Sequence, residues 1–221
     1  MAFRPPPKLL RKVLGFKAMV HKNGKFYLWG VPCSIVPLFS FSYIQRLLEK
    51  KYGKKDAATI LYSLGVLQTK VGFDLISDKF GYAKTYKDKV ELLKFITGQA
   101  ATVGNGDYTW TRIDLKNNIF IVKSLCPHGE HYRRFFGLQK EPTDHFIRGE
   151  CATMVEKAFN IKNSFCVEKR CIAKGDKYCE FVVRPFEDFD KKDPLVKKQL
   201  INKVLTLKEL GAKINALSIF Y

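Results

Sequence analysis

The sequence predicts an α+β fold in which an antiparallel sheet of about four strands packs against helices. Residues 108–115 with 119–125, and residues 164–173 with 177–183, form two pairs of apolar segments, each joined by a short turn sequence with Asn, Gly or Asp. Such pairs are typical of β-hairpins. Helical spacing of apolar residues before, between and after the pairs predicts helices that cover one face of the sheet.

A further hairpin is predicted at the N-terminus, outside this sheet. Residues 16–20 and 25–29 are apolar stretches separated by a segment that ends in Asn23-Gly24, and Asn-Gly in this setting is a strong tight-turn signal. The longest uncharged segment, residues 26–44, approaches the length of a membrane span but contains two prolines. Because prolines there would leave backbone groups without partners in lipid, we predict buried strands and turns and no membrane span.

Helical spacing predicts several helices. A first helix ends at Gly53, and a second begins near Asp56. The second helix contains Gly65 and Gly72 within its apolar stripe, where small residues allow close helix packing. The remaining predicted elements are helices at 86–96, 144–159 and 194–217, and a flexible glycine-bearing loop at 97–106.

Positive charge is concentrated near the N-terminus. The formal net charge is +18, and residues 1–60 contain twelve Lys or Arg against two acidic residues, which supplies ten of these charges. This bias is typical of proteins with an anionic partner such as nucleic acid, an acidic membrane surface or an acidic protein. A lysine-rich solvated surface is the favoured interpretation, since no helix-turn-helix pattern and no aromatic and basic RNA-binding signature accompanies the charge.

The motif with the clearest chemistry lies in the second half of the chain. Glu168, Cys171 and Cys179 surround a tight turn that contains Gly175-Asp176. Two thiolates and a carboxylate are ligands that zinc accepts in a tetrahedral site. Strict strand alternation puts Glu168 and Cys171 on opposite faces, so one ion can bind both only if the strand bulges near Arg170. Buried small hydrophobic cysteines or a redox pair are the alternatives.

The order of an acidic residue, Cys, a Gly-Asp turn, Cys and Phe181 resembles the C-terminal signature of the V4R (4-vinyl-reductase-type) domain family. Residues 144–159 are similar to the helix that precedes this hairpin, and the resemblance covers roughly residues 65–183. Within the family, the chain resembles the zinc-containing sensor domains of aromatic-effector-responsive regulators. Counted without gaps, His145 falls at the place of the family's first Cys ligand. The resemblance therefore implies a zinc ion held by His145, Glu168, Cys171 and Cys179.

The resemblance also implies a function and a domain organisation. Related domains enclose an apolar small molecule and act as ligand sensors, usually as homodimers. The implied ligand-binding domain is 53–185, between a basic N-terminal extension (1–52) and a C-terminal helical tail (186–221). The family name suggests an alternative, a reductase-like enzyme of tetrapyrrole or related metabolism, but without a nicotinamide or flavin fingerprint binding is favoured over catalysis. The pocket candidates are Phe95, Phe120, Val122, Phe135, Phe136, Met154 and Phe159.

A second group of cysteine and histidine residues competes as a metal site. Cys126, His128 and His131 lie within six residues of one another, and neutral imidazole is a common metal ligand. The group follows a strand on a predicted loop, without a second ligand pair at a distance. The hairpin motif is therefore the favoured metal site.

The cysteine content bears on the compartment. The chain contains six Cys, and its first residues, Met-Ala-Phe-Arg-Pro-Pro-Pro, form no apolar signal segment. Free thiols or metal ligation in a reducing cytoplasm are therefore expected, rather than a secreted disulfide framework.

Overall fold

Short strands form a ribbon at the start of the described chain. The computed structural model describes residues 19–28, 30–81, 83–201 and 203–209. Asn23 and Gly24 take positive φ angles of 51° and 71°, as a tight two-residue turn requires, which confirms the predicted turn. No ribbon side chain in the described strands is buried, so the expectation of buried strands is wrong here. The strands are β1 (Met19–Lys22), β2 (Lys25–Leu28) and β3 (Val31–Cys33); residues 16–18 and 29 of the predicted hairpin lie outside the described residues.

A four-stranded antiparallel sheet forms the larger part of the β structure. Its strands are β4 (Asp107–Asp114), β5 (Ile119–Leu125), β6 (Ser164–Arg170) and β7 (Cys179–Pro185). Their order in the sheet is β4-β5-β7-β6, so the two predicted hairpins lie side by side through β5 and β7. Burial alternates along β5, because one face of the sheet carries the core. The predicted α+β fold with an antiparallel sheet is confirmed.

Helices cover the core face of this sheet. In chain order they are α1 (Leu38–Tyr52), α2 (Lys54–Phe80), α3 (Tyr86–Thr102), α4 (Pro127–Phe136), α5 (His145–Phe159) and α6 (Pro194–Gln199). Gly53, with a φ of 81°, separates α1 from α2 at the predicted position. Thr85 and Asp88 form a capping box at the start of α3. None of the helices within the described ranges combines the length and the apolar content that a membrane span requires.

The backbones of α2 and α5 approach each other closely. A Cβ atom at Gly65 would lie 2.1 Å from the carbonyl oxygen of Phe146, and one at Gly149 would lie 2.1 Å from that of Tyr62. A side chain at either glycine would push the helices apart, so the predicted packing role of Gly65 is confirmed. Gly72 has no atom within 4 Å of its Cβ position, and the same prediction is wrong there.

Helix α5 lies at the centre of the core. It packs against α2 on one side and against β6 and β7 on the other. Ile147, Met154 and Val155 of α5 join Phe120 and Phe181 of the sheet in one hydrophobic cluster. This arrangement holds the start of α5 against the β6–β7 hairpin.

Three segments differ from the sequence predictions. Helix α3 continues to Thr102, through most of the predicted loop, and the predicted loop after β5 is helix α4, with Pro127 in its first turn. The tail is helical only in α6; residues 200, 201 and 203–209 are not helical, and 210–217 lie outside the described residues. At the end of α6 the Gln199 carbonyl accepts a hydrogen bond from Arg148, so a tertiary contact takes the place of the next helical turn.

Candidate metal centre

Four side chains meet in a buried group, here called the acid–thiol cluster: Asp144, Glu168, Cys171 and Cys179. Each offers one ligand atom, and these atoms all lie within 4.8 Å of one another. All four residues are buried, and Glu168 and both cysteines are 0% exposed. Asp144 precedes α5, Glu168 lies on β6, and the cysteines lie at the two inner ends of the β6–β7 hairpin. The hairpin and the start of α5 therefore build the cluster together.

A β-bulge in β6 brings Glu168 and Cys171 to the same site. Glu168 and Arg170 pair with consecutive residues of β7, so Lys169 is the extra residue. The extra residue interrupts the strict alternation of side chains along the strand. The condition derived from the sequence, a bulge near Arg170, is met.

The turn after β6 orients both thiols. The backbone N–H of Cys171 donates to the Asp176 carboxylate at 2.8 Å, and the N–H of Ile172 donates to Cys179 Sγ at 3.3 Å. Gly175 closes the turn with a φ of 102°, a conformation that favours glycine. The Gly-Asp pair that marks the motif in the sequence therefore has a structural role in the site.

Asp144 supplies the carboxylate that faces the thiols. Its Oδ2 lies 3.1 Å from Cys179 Sγ and 3.9 Å from Cys171 Sγ. Asp144 occupies the N-cap position of α5 but makes no capping hydrogen bond through its side chain. Gly129 of α4 makes room for it, because a Cβ atom there would lie 2.8 Å from Asp144 Oδ2. The cluster therefore constrains residue 129 to be glycine.

Glu168 contributes a carboxylate oxygen without a hydrogen-bond partner among the described residues. Its Oε2 accepts from the backbone N–H of Asp144 at 3.2 Å, whereas its Oε1 has no hydrogen-bond partner within the described chain. The Gln199 side chain fixes the Glu168 backbone through two hydrogen bonds of 2.9 Å. A buried carboxylate oxygen without a partner is unfavourable unless a cation or a proton meets it.

Burial shifts the acid–base properties of the cluster. Desolvation raises the pKa of Asp144, and desolvation together with the nearby Asp144 charge raises the pKa of Glu168. Hydrogen bonding with Cys126 and Cys171 raises the pKa of the Cys179 thiol, and hydrogen bonding with Cys179 lowers that of Cys171. Such closely spaced groups cannot all ionise unless a cation compensates them, so binding of a metal ion would release protons.

His145, the fourth ligand expected from the sequence, lies outside the acid–thiol cluster. Its Nδ1 is 3.0 Å from Nη1 of Arg148, one turn along α5. Burial, together with the charges of Arg148 and Lys54, lowers its pKa to about 3. The gap-free count is off by one residue, because the chain presents the N-cap Asp144 to the hairpin and turns the first helical residue away. Asp144 replaces His145 in the candidate ligand set.

The competing group of Cys126, His128 and His131 is not assembled. His128 Nε2 lies 3.3 Å from Asn105 Oδ1, and His131 packs against the Phe135 ring. Within the described ranges these three residues form no metal-binding group. Cys126 is instead completely buried beside the acid–thiol cluster, as a third thiol that the sequence did not place there.

The predicted pocket residues fall into two groups. The Phe120 and Phe159 rings are 5.1 Å apart, within the core between α5 and the sheet. Phe135 is 54% exposed and Phe136 is half-buried on α4, and neither belongs to the buried core cluster. These two residues therefore lie apart from the other candidates. The candidates that share the core are Phe95, Phe120, Val122, Met154 and Phe159.

Polar groups lie next to these core residues. Glu150 precedes Met154 by one turn of α5, and Ser124 lies on the same face of β5 as Val122. Both are buried, and Glu150 Oε2 and Ser124 Oγ have no hydrogen-bond partner in the part of the chain that the structure describes. Glu150 Oε1 lies 3.4 Å from Nδ2 of Asn105. Burial raises the pKa of Glu150 to about 8.

A recess with a volume of about 230 Å³ opens beside the start of α2 and the end of α6. His145 and Thr143, the neighbours of Asp144, form part of its wall. Charged residues dominate the rest of the lining, so it does not match the apolar cavity that the family resemblance implies. Its charged lining residues are Glu49, Lys54, Lys55, Glu141, Lys197 and Lys198.

Comparison with solved structures identifies the fold. The chain is similar to the phenol-responsive sensory domain of the transcription activator PoxR, in complex with phenol, with a TM-score of 0.71. The likeness covers 88% of this chain and 99% of that one, at 12% sequence identity. The chain has the fold of this sensory domain. The predicted resemblance to V4R-type sensor domains is thereby confirmed at the level of the fold.

Weaker likenesses extend to two other proteins. A vinyl-4-reductase family protein from Methanocaldococcus jannaschii matches with a TM-score of 0.43 and 21% identity, over 69% of this chain and 83% of that one. Trafficking protein particle complex subunit 3 from Naegleria fowleri, covalently bound to palmitic acid, matches with a TM-score of 0.46 and 16% identity, over 80% of this chain and 96% of that one. No protein-family model matches the chain, and no curated protein matches it significantly in sequence.

Proposed function

We propose that this chain is a small-molecule-binding domain of the sensor type, with a zinc ion that holds its β6–β7 hairpin against α5. The observation that carries the metal assignment is the acid–thiol cluster, in which two thiols and two carboxylates are buried together. The fold, shared with a sensory domain, supports the binding function.

The chemistry of the cluster fits zinc. Zinc binds sulfur at about 2.3 Å and carboxylate oxygen at about 2.0–2.2 Å, so tetrahedral ligands lie roughly 3.3–3.8 Å apart. The Asp144 Oδ2 distances to the two sulfurs, 3.1 and 3.9 Å, bracket this range. Within the described chain, no ion pair joins Asp144 or Glu168 to Lys or Arg. A divalent cation would compensate the buried charge and meet Glu168 Oε1.

The bound ion would act as a structural cross-link. Asp144 would tie the start of α5 directly to the turn end of the β6–β7 hairpin. When bound, the ion supplies positive charge and a fixed ligand geometry. Because α5 continues from Asp144 to Met154 and Phe159, the cross-link would also fix the helix that forms one wall of the proposed ligand site.

The ligand site would lie between α5 and the inner face of the sheet. Phe120 and Val122 from β5 face Met154 and Phe159 from α5 in the same core. An apolar molecule there would replace side-chain contacts with its own. The unpartnered oxygens of Glu150 and Ser124 favour a ligand whose apolar body carries one hydrogen-bonding head group. A homodimer, expected from the family resemblance, stays a prediction.

The metal is tested by elemental analysis and native mass spectrometry of the full chain purified without chelator. We expect one zinc per chain, lost in parallel with proton uptake as the pH is lowered. Protein that folds with no stoichiometric metal would contradict the zinc assignment and leave the ligand proposal to be tested separately.

The ligand site is tested by thermal shift of the zinc-loaded protein with pairs of apolar compounds that differ only in a hydroxyl or amine head group. A true ligand at a hundred times its dissociation constant stabilises the fold by about 2.7 kcal/mol. Glu150→Gln should reduce the advantage of the compound with the head group, while the exposed Glu156→Gln on the same helix should not. If no compound stabilises the protein, the binding proposal fails; turnover with an added nicotinamide reductant would favour the reductase alternative.

A further inference from the structure

The outward side of α1 and the end of α4 form an exposed apolar surface, here called the α1–α4 surface. Its six principal side chains are each 49–65% exposed. Isolated exposed apolar side chains are normal, but a contiguous group marks an interaction site. The six are Phe39, Tyr43, Ile44, Leu47, Phe135 and Leu138.

The geometry of the two helices makes this surface continuous. Phe39, Tyr43 and Leu47 are spaced four residues apart and form one stripe along α1. The opposite side of α1 is buried and faces the protein, as Gln45 donates to the Thr143 carbonyl at 3.0 Å. Arg46 of α1 stacks on the ring next to Phe135, at 5.5 Å from the Phe136 centroid, so the end of α4 adjoins the stripe.

Positive charge surrounds the apolar stripe. Residues 35–55 contain five Lys or Arg and one acidic residue, and residues 133–140 contain three Lys or Arg and none that is acidic. The one acidic residue, Glu49, is already engaged by the Tyr132 hydroxyl and by Arg46. Asp56 and Glu141 follow directly after these two segments, and the border of the α1–α4 surface carries a net positive charge.

The apolar stripe and its cationic border together indicate which kind of partner fits the α1–α4 surface. A second copy of this chain would bring two cationic borders together, which is unfavourable. Nucleic acid would satisfy the charge but offers no apolar contact for Ile44 and Leu47. We propose that the α1–α4 surface docks on an anionic lipid bilayer, with α1 lying in the interface, its apolar stripe among the acyl chains and its lysines at the head groups.

The proposal is independent of the zinc and ligand assignments, and it is tested by flotation of the full chain with lipid vesicles. We expect binding to phosphatidylcholine vesicles that contain phosphatidylserine and none to phosphatidylcholine alone. Phe39→Ser with Leu47→Ser should lower the partition coefficient at least about tenfold, since two apolar side chains leave the bilayer. Lys50→Gln with Lys51→Gln should lower it by roughly fivefold per lysine, and added salt should weaken binding.

Matched variants control for general effects of polarity and charge. Leu115→Ser with Leu125→Ser removes two exposed leucines elsewhere, and Lys116→Gln with Lys162→Gln removes two exposed lysines elsewhere. Both control pairs should bind as the parent does. The proposal is overturned if the control pairs lose as much vesicle binding as the test variants do. It is also overturned if the parent protein binds neither kind of vesicle. If the protein does not bind vesicles but forms a dimer that dissociates in the Phe39→Ser with Leu47→Ser variant, the surface belongs to a contact with a second copy and the proposal is overturned.

Discussion

Two buried acidic regions lie along α5, and they differ in their neighbours. At the start of the helix, Asp144 shares a site with Glu168 and two thiols. Farther along, the partners of Glu150 among the described residues are amide donors, from Gln68 and Asn105 at 3.5 and 3.4 Å. Burial raises the carboxyl pKa in both regions. The neighbours, rather than the burial, decide what each region can bind.

The difference shows what a buried acid needs in order to hold a metal ion. The acid–thiol cluster offers several charges and two soft sulfur ligands, which one divalent cation can compensate together. Glu150 is a single carboxyl group, and one proton is enough to neutralise it. We therefore expect the first region to respond to metal and the second to respond to pH and to a ligand head group.

The largest expected effect is that of removing a thiol from the acid–thiol cluster. Cys171→Ser or Cys179→Ser should abolish stoichiometric zinc and lower the free energy of unfolding by about 3–5 kcal/mol, because the remaining buried acids lose their counter-charge. Elemental analysis measures the zinc content, and chemical denaturation measures the free energy of unfolding. Cys33→Ser, which changes a half-buried thiol on the ribbon, serves as the control and should retain zinc. Full zinc content in both cluster variants would contradict the ligand set.

The bulge in β6 gives a second way to break the cluster without changing a ligand. Insertion of one Ala after Lys169, in a strand that keeps its bulge, should shift Cys171 to the face opposite Glu168 and lower zinc affinity at least about tenfold. The sheet contains a matched bulge in β4, between Trp110 and Arg112. Insertion of one Ala after Thr111, the extra residue of that bulge, should leave zinc binding unchanged. Zinc retained after the Lys169 insertion would show that the register of β6 does not build the site.

Much of the acid–thiol cluster was predictable because its ligands are close in sequence. Glu168, Cys171 and Cys179 belong to one hairpin motif, and the need for a bulge follows from strand alternation alone. The fourth member was missed because it lies on a separate element. Asp144 could have been predicted to lie at the start of the helix, since Asp is a common N-cap residue. The gap-free count instead put the fourth ligand one residue later, at His145.

The fold was predictable where local signals decide it and less so where tertiary contacts do. The hairpins and Gly53 follow from turn chemistry, and their predictions hold. The apolar spacing of the tail predicted a long helix, but α6 stops where the Gln199 side chain pairs with the Glu168 backbone and its carbonyl accepts from Arg148. No local pattern reveals such contacts. The boundaries at residues 52 and 185 stay predictions.

A smaller effect is expected for Glu150→Gln, and it depends on pH. The pKa of Glu150 is raised to about 8 in the folded protein from 4.5, so its stabilising effect is complete below pH 4.5 and is lost as pH rises towards 8. The free energy of unfolding of the parent should fall relative to that of the variant by roughly 1 kcal/mol per pH unit across this window. Denaturation of zinc-loaded samples at several pH values measures the difference. A difference in the free energy of unfolding between parent and variant that stays constant from pH 4.5 to 8 would show that Glu150 is already ionised at neutral pH.

The smallest expected effect is that of Asn105→Ala, which sharpens the description of the Glu150 region. Asn105 links Glu150 Oε1 to His128 Nε2 through contacts of 3.4 and 3.3 Å, so its loss should cost roughly 1 kcal/mol and leave zinc content unchanged. A double-mutant cycle with Glu150→Ala, which removes the acceptor oxygen, isolates the shared part of this cost. A measurable coupling energy is expected, because the variants alter the same contact. Strictly additive effects would show that Asn105 acts through His128 alone, and that Glu150 relies on Gln68 as its only amide partner.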